Sequence, residues 1–151
     1  VLYRVKGPVP EGEYTVEIGK ADVKRRGDDV TVVAFSAMVP RALEAAKRLS
    51  EEGISVEVVD PRTLRPLDRE TILDSVRRTN RLVTVEYSPK TWGMGAEVSA
   101  MVAEEAIEYL DAPIVRVAAP DVPVPVSPPL MKMTVPTVES IVSAVKSAVG
   151  V

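Results

Sequence analysis

Short β-branched runs alternate along this chain with amphipathic segments of helical period, and this alternation most constrains the fold. Val30-Thr31-Val32-Val33-Ala34-Phe35 is a nearly continuous apolar run, which is typical of a strand buried on both faces. Further runs lie at residues 54–59, 81–87 and 114–118. An alternation of strands and helices with short connections predicts parallel strands joined by right-handed crossovers. We therefore expect one α/β domain with helices on both faces of the sheet.

Helical spacing and end signals predict four helices between and after these runs. Pro40 suits the first turn of the first helix, and Gly53 suits its end. Asp68 is a candidate cap for the second helix. The third is expected over residues 96–110 and the last over 137–149. The positions expected to face the sheet are Ala42, Leu43, Ala46, Leu49, Ile72, Leu73, Val76, Val98, Met101, Val102, Ala106, Tyr109, Leu110, Val138, Ile141, Val142, Val145 and Val149.

The first part of the chain has a different pattern. Gly7, Pro8, Pro10 and Gly12 interrupt it, so residues 1–19 are interpreted as a linker from a missing upstream domain, or else as a frayed terminus. The chain begins without Met, which suggests a fragment, a processed product or a trimmed chain. Residues 20–25 and 30–36 flank a Gly-Asp-Asp turn, a pattern that predicts a hairpin. The domain itself is expected over residues 20–151.

Two residue types that often carry chemistry are missing. The chain has no Cys and no His, which excludes disulfides and thiolate chemistry and makes a zinc site improbable. The net charge of −3 indicates neither nucleic acid nor an anionic membrane as a partner. Gln is also absent and Asn80 is the only Asn, a composition that suggests a thermophile or chance. Catalysis by this chain alone is therefore disfavoured.

Three loops follow the predicted strands, at the edge where open α/β sheets bind ligands. In the first, residues 60–68, Arg62 and Arg65 suit either an anion or partner clamp or a structural pair with a nearby Asp. In the second, residues 88–97, Trp92 and Met94 are candidate interface anchors.

The second loop also contains Gly93-Met94-Gly95, which is half of a dinucleotide fingerprint. Val98 stands where the third Gly would be, and Glu97 would repel a phosphate, so nucleotide binding is disfavoured.

The third loop, residues 120–131, contains five prolines and is expected to be extended. Its apolar side chains are expected to pack against a partner or across the domain itself. Pro123, Val124, Val126 and Met131 are the candidate interface residues here.

One stretch, from Val58 to Asp68, resembles the hallmark stretch of an enzyme family. Its sequence is Val-Val-Asp-Pro-Arg-Thr-Leu-Arg-Pro-Leu-Asp. That family is the beta subunits of the decarboxylase components of 2-oxoacid dehydrogenases, of the pyruvate, branched-chain and acetoin types. Neighbouring blocks agree in order: Gly19 to Val23, Asp29 to Ala34, Gly93 to Glu97 and Pro120 to Pro125. The resemblance covers nearly the whole chain.

The resemblance implies a transketolase C-terminal-like domain: a three-layer α/β/α fold with a five-stranded, mostly parallel sheet and one antiparallel strand. It implies that thiamine diphosphate and magnesium are held by other domains, through Gly-Asp-Gly and Asn-Asn motifs that this chain lacks. No catalytic, cofactor or metal residue is therefore expected here. The implied role is assembly with the alpha subunit, a second beta subunit and the subunit-binding domain of the acyltransferase core. The implied location is the cytoplasm, or the mitochondrial matrix in a eukaryote.

Some residues depart from the family pattern. Lys90-Thr91-Trp92-Gly93 replaces an Arg-Thr-Gly-Gly type loop, and Pro125-Val126-Ser127 replaces Pro-Tyr-Ala. In the family an acidic residue usually follows the next Leu, but here Met131 follows that Leu, which is Leu130.

Two alternatives stay open. One is the same domain from deoxyxylulose-phosphate synthase or transketolase, and the other is a free-standing binding protein for a small anion or nucleotide.

Overall fold

Five strands form one mixed sheet in the order β1-β3-β2-β4-β5. The computed structural model describes residues 6–151, so the first five residues of the expected linker lie outside the described part. The strands are β1 (Asp22–Arg25), β2 (Val30–Ala34), β3 (Val56–Asp60), β4 (Leu82–Pro89) and β5 (Val115–Ala119). β1 is antiparallel to β3, and the other neighbours are parallel. The expected fold class, mostly parallel with one antiparallel strand, is confirmed.

Helices cover both faces of this sheet. They are α1 (Met38–Glu51), α2 (Arg69–Thr79), α3 (Met94–Glu105), α4 (Pro128–Met133) and α5 (Val138–Val149). Successive β2 side chains point to opposite faces, so Val32 packs with α1 and α5 while Val33 packs with α2 and α3. Both valines are fully buried, which explains why β2 reads as a continuous apolar run.

The predicted hairpin between β1 and β2 is wrong. β2 is the central strand and has β3 and β4 as its neighbours, so β1 pairs with β3 instead. The Gly-Asp-Asp turn crosses the start of β3, where the N–H of Asp29 bonds to the carbonyl of Ser55 at 2.9 Å. A Cβ on Gly27 would overlap the backbone of Val56 and Glu57, so the crossing requires Gly.

Two further segments differ from the prediction. The third helix ends at Glu105 because Ala106 leaves helical geometry at φ −152°, and Ile107–Tyr109 forms a 3₁₀ turn. The proline-rich loop is not extended throughout, since Pro128–Met133 is helical. Pro128 and Pro129 occupy its first turn, where a missing N–H leaves no helical hydrogen bond unmade.

Candidate functional site

The loops after β2, β3 and β4 enclose a crevice at the carboxyl edge of the sheet. The chain leaves β2 into α1 on one face, whereas β3 and β4 lead into α2 and α3 on the other. Their divergence leaves a cavity of about 630 Å³. Its lining residues are Phe35, Ser36, Val39, Pro40, Asp60, Pro61, Arg62, Leu64, Glu86, Tyr87, Ser88 and Met94. Cavities at this position are the usual ligand sites of open α/β sheets.

The loops after β2, β3 and β4 each contain a non-glycine residue in the left-handed region of backbone space. These residues are Ser36 at φ 52°, Arg62 at φ 59° and Trp92 at φ 62°. Such conformations cost on the order of 1–3 kcal/mol each and persist only where surrounding contacts impose them. Three of the four such residues in the described part of the chain thus lie at the carboxyl edge, and the fourth, Asn80, ends α2.

Glu86 is the most enclosed polar group of the site, with a side chain only 2% exposed. Its carboxylate accepts the N–H of Gly95 at 3.0 Å, at the start of α3, and the hydroxyl of Ser88. The guanidinium of Arg116 lies 3.8 Å away. A Cβ on Gly93 or Gly95 would overlap this carboxylate. The glycines therefore make room for the side chain of a buried acid, which opposes the nucleotide-binding alternative.

Arg62 is engaged within the domain. Its N–H donates to Oδ1 of Asp60 at 3.0 Å, and its guanidinium donates to Oδ2 of Asp22 at 2.6 Å. Lys24 and Arg62 together lower the pKa of Asp22, the Lys24 hydrogen bond being the larger influence. Of the two alternatives left open by the sequence, the structure shows the intramolecular pair for Arg62, which ties β1 to the first loop.

Arg65 is placed differently from Arg62. It is exposed, and within residues 6–151 its side chain forms neither a hydrogen bond nor a salt bridge. Met94, the other candidate next to the crevice, is partly buried and lines the cavity.

The second and third loops are fastened to each other. The carboxylate of Asp121 accepts the N–H of Thr91 at 3.1 Å and its hydroxyl at 2.7 Å. These two bonds lower the pKa of Asp121, the hydroxyl bond having the larger effect. The N–H of Lys90 also donates to the carbonyl of Ala119 at 3.0 Å. These bonds give Trp92 and the residues after Asp121 a common support.

That support displays apolar side chains to solvent. Trp92 is 97% exposed and Val126 is 92% exposed, and Val122, Pro123 and Val124 between them are exposed as well. We call these five residues the apolar platform. The alternative in which Trp92 folds over its own domain is wrong. Met131 lies in α4 and is 37% exposed, so it stands apart from the platform residues in sequence and is less exposed than they are.

Glu86 was not among the candidates, although the sequence contains a signal for it. An acid directly after the stretch Leu82 to Val85, followed shortly by Gly93 and Gly95, indicates a buried carboxylate that approaches a helix start. Among residues 6–151 no group of acidic side chains is arranged to hold a metal ion. No helix there is long and apolar enough to cross a membrane.

Comparison with known proteins places these features in a family. The model of the family "Transketolase, C-terminal domain" matches residues 19–141. The chain is 51% identical, over 97% of its length, to the mitochondrial pyruvate dehydrogenase E1 component subunit beta-2 of Oryza sativa subsp. japonica, covering 39% of that protein. It is 46% identical, over 98% of its length, to the beta subunit of acetoin:2,6-dichlorophenolindophenol oxidoreductase of Bacillus subtilis (strain 168), covering 43% of it. The chain thus spans about two fifths of these relatives.

Solved structures agree. A split-gene transketolase, described as an inactive beta4 tetramer, superposes with a TM-score of 0.80 at 37% identity, over 91% of this chain and 44% of that one. A transketolase mutant from Pichia stipitis has a TM-score of 0.58 at 17% identity, over 85% of this chain and 17% of that one, and shows the fold alone. The chain belongs to the transketolase C-terminal domain family, with beta subunits of pyruvate dehydrogenase and acetoin-oxidising enzymes among its relatives.

Proposed function

We propose that this chain is the non-catalytic assembly domain of the beta subunit of a thiamine-diphosphate-dependent 2-oxoacid dehydrogenase. Residues 20–151 form the domain, and residues 1–19 connect it to an upstream domain that binds the pyrimidine ring. The complete enzyme decarboxylates a 2-oxoacid and reductively acylates a lipoyl group. Its relatives among pyruvate dehydrogenase beta subunits support this assignment.

The cofactor belongs elsewhere in the complete enzyme. Thiamine diphosphate with magnesium needs a group of ligands for the metal and a receptor for the diphosphate. The Gly93-Met94-Gly95 turn, the best diphosphate receptor that the sequence offers, is filled by the Glu86 carboxylate. The described residues therefore fit a supporting role and do not fit a thiamine diphosphate site.

The observation that carries the proposal is the apolar platform. The Trp92 indole is 97% exposed, and the loop that carries it is held by three hydrogen bonds before a partner arrives. Aromatic side chains are common hot spots at the centres of protein interfaces, and a preorganised loop loses little backbone entropy on binding. The expected partners are the alpha subunit, a second beta subunit and the acyltransferase core. The expected compartment is the cytoplasm, or the mitochondrial matrix in a eukaryote.

The test is a Trp92→Ala substitution in the complete beta subunit, mixed with its alpha subunit. We expect a loss of about 2 kcal/mol or more in association free energy, because Trp at an interface centre is commonly a hot spot. Analytical ultracentrifugation measures the association. Ile107→Ala, at an exposed apolar residue of the 3₁₀ turn, is the matched control and should associate normally. Equal association of the Trp92 variant and the unchanged subunit would refute the role of the platform.

A second candidate is the same domain of a split-gene transketolase. The 37% identity to such a protein, whose beta chains form a tetramer, favours it as the alternative. The assembled enzyme separates the two, since a 2-oxoacid dehydrogenase consumes pyruvate or a related acid whereas a transketolase consumes a ketose phosphate. Ketol transfer without 2-oxoacid decarboxylation would decide for the transketolase.

A further inference from the structure

The crevice between the loops after β2, β3 and β4 has a chemistry that the assembly role does not use. Its walls combine apolar and aromatic side chains with two carboxylates. We propose that this crevice binds a small organic cation, that is, a primary ammonium or guanidinium group carried on an apolar body.

The position of the crevice favours a ligand. β2 lies between β3 and β4, and the chain leaves it toward the opposite face from theirs. This divergence is the topological switch point of the sheet, where open α/β folds bind their ligands. The cavity of about 630 Å³ falls in the range of roughly 300–1,000 Å³ that small-molecule sites occupy.

The charges around the crevice select the sign of the ligand. Asp60 and Glu86 are the two acids of the wall, and Arg62 is the one basic residue among the described residues that line it. The Arg62 guanidinium is already paired with Asp22 at 2.6 Å. Asp22 is shared with Lys24, and Glu86 is engaged by Gly95, Ser88 and the Arg116 guanidinium 3.8 Å away, so Asp60 is the wall acid with capacity left for a ligand. Asp60 accepts only the N–H of Arg62 among the described donors, which leaves a carboxylate oxygen for a ligand.

The remaining lining fits the body of such a ligand. Phe35 and Tyr87 provide aromatic rings, and ammonium and guanidinium groups are attracted to aromatic faces. Val39, Leu64 and Met94 provide aliphatic surface for an apolar body. An anionic ligand would meet the Asp60 carboxylate, and a neutral apolar one would leave Asp60 without a new partner.

The experiment is an NMR titration of the amide resonances of the chain with three probes of similar shape. Phenethylamine is the cation, 2-phenylethanol the neutral analogue and phenylacetate the anion. We expect phenethylamine alone to shift the amides of Ser36, Leu64 and Ser88 in a saturable way. Equal or stronger binding of the alcohol or of phenylacetate would overturn the proposal. Shifts that map away from the crevice, or no shift at millimolar phenethylamine, would do so as well.

Two kinds of variant locate the charge. Asp60→Asn should weaken phenethylamine binding about tenfold, as the loss of one partly buried charge pair does. Asp74→Asn, at an exposed acid of α2, is the control and should bind normally. Asp60 also accepts the Arg62 N–H, so its replacement could disturb the loop. A second variant therefore leaves Asp60 unchanged. Leu64→Lys places a tethered cation at the mouth and should abolish binding, whereas Leu64→Gln should keep it. Unchanged binding by Leu64→Lys would contradict the proposal, whatever the Trp92 experiment shows.

Discussion

At the scale of single residues, this domain depends on a buried carboxylate that occupies a position open to ligands in other α/β proteins. Glu86 reaches the start of α3 only because Gly93 and Gly95 have no side chains. Close by, the hydroxyl of Thr84 and Nε of Arg116 are buried and have no partner among the described residues. Donors thus crowd around one internal acid, and the packing between β4 and α3 depends on two glycines.

Gly95→Ala is expected to destabilise the domain strongly. The new methyl group would overlap the Thr84 hydroxyl and the Glu86 carboxylate, and moving that carboxylate away would break its hydrogen bonds with Gly95 and Ser88. Overpacking of this kind costs about 1–3 kcal/mol. Urea unfolding measures the loss, and Gly7→Ala is the control because nothing lies within 4 Å of its new methyl group. A variant as stable as the unchanged chain would show that Glu86 can leave this position.

At the scale of elements, local patterns predicted the five strands and four of the five α-helices but not every pairing between strands. The apolar run of β2 and the Asp68 cap of α2 depend on neighbours in sequence, and both predictions were confirmed. The partner of β1 depends on a long-range choice. β1 pairs with the free edge of β3, because β2 lies between β3 and β4. The residues of the turn between β1 and β2 do not encode that choice.

The same distinction applies to the candidate site. Trp92 and the prolines were visible as unusual loop residues. The bonds from Thr91 to Asp121, which join two loops 30 residues apart, were not visible. Glu86 was missed because its significance comes from a helix start nine residues away, at Gly95.

Asp68 links two elements, so Asp68→Ala is expected to be more costly than the loss of a simple cap. Its carboxylate accepts the N–H of Thr71 at 3.2 Å and the Thr71 hydroxyl at 2.8 Å in α2. It also accepts the N–H of Ala21 at 2.9 Å, just before β1. We expect a loss of about 2–3 kcal/mol, from the cap and from the unpaired Ala21 N–H together. Asp74→Ala in the same helix is the control for urea unfolding, and equal losses would contradict the linking role.

The pH dependence of stability gives an independent measure of the same carboxylate. Burial acts to raise the pKa of Asp68, but the hydrogen bonds from Ala21 and Thr71 outweigh it, so the pKa is lowered. A group whose pKa is lower in the folded state contributes stability above its unfolded pKa of about 3.9. That contribution is lost as the pH falls through the folded value. Asp68→Asn should therefore show a shallower loss of stability below about pH 4.

At the scale of the whole molecule, the two faces of the sheet and its carboxyl edge have separate tasks. Both faces are covered by helices and provide the cores of the domain. The carboxyl edge has the crevice, the apolar platform and three residues with positive φ, and it is the part that we propose meets a ligand or another subunit. This division is the one expected for α/β folds, in which sites are added to a constant framework.

The final prediction follows from this division: the isolated chain should not bind thiamine diphosphate, even with magnesium. A diphosphate needs several converging backbone N–H groups or basic side chains, but the N–H of Gly95 is used by Glu86 and the guanidinium of Arg62 by Asp22, which leaves the exposed Arg65 in the same loop as Arg62. Isothermal titration calorimetry on the chain is the measurement, and the assembled enzyme, which should bind the cofactor, is the positive control. Tight binding by the chain would place a cofactor site on this domain, and the proposed division between scaffold and catalytic domains would then be wrong.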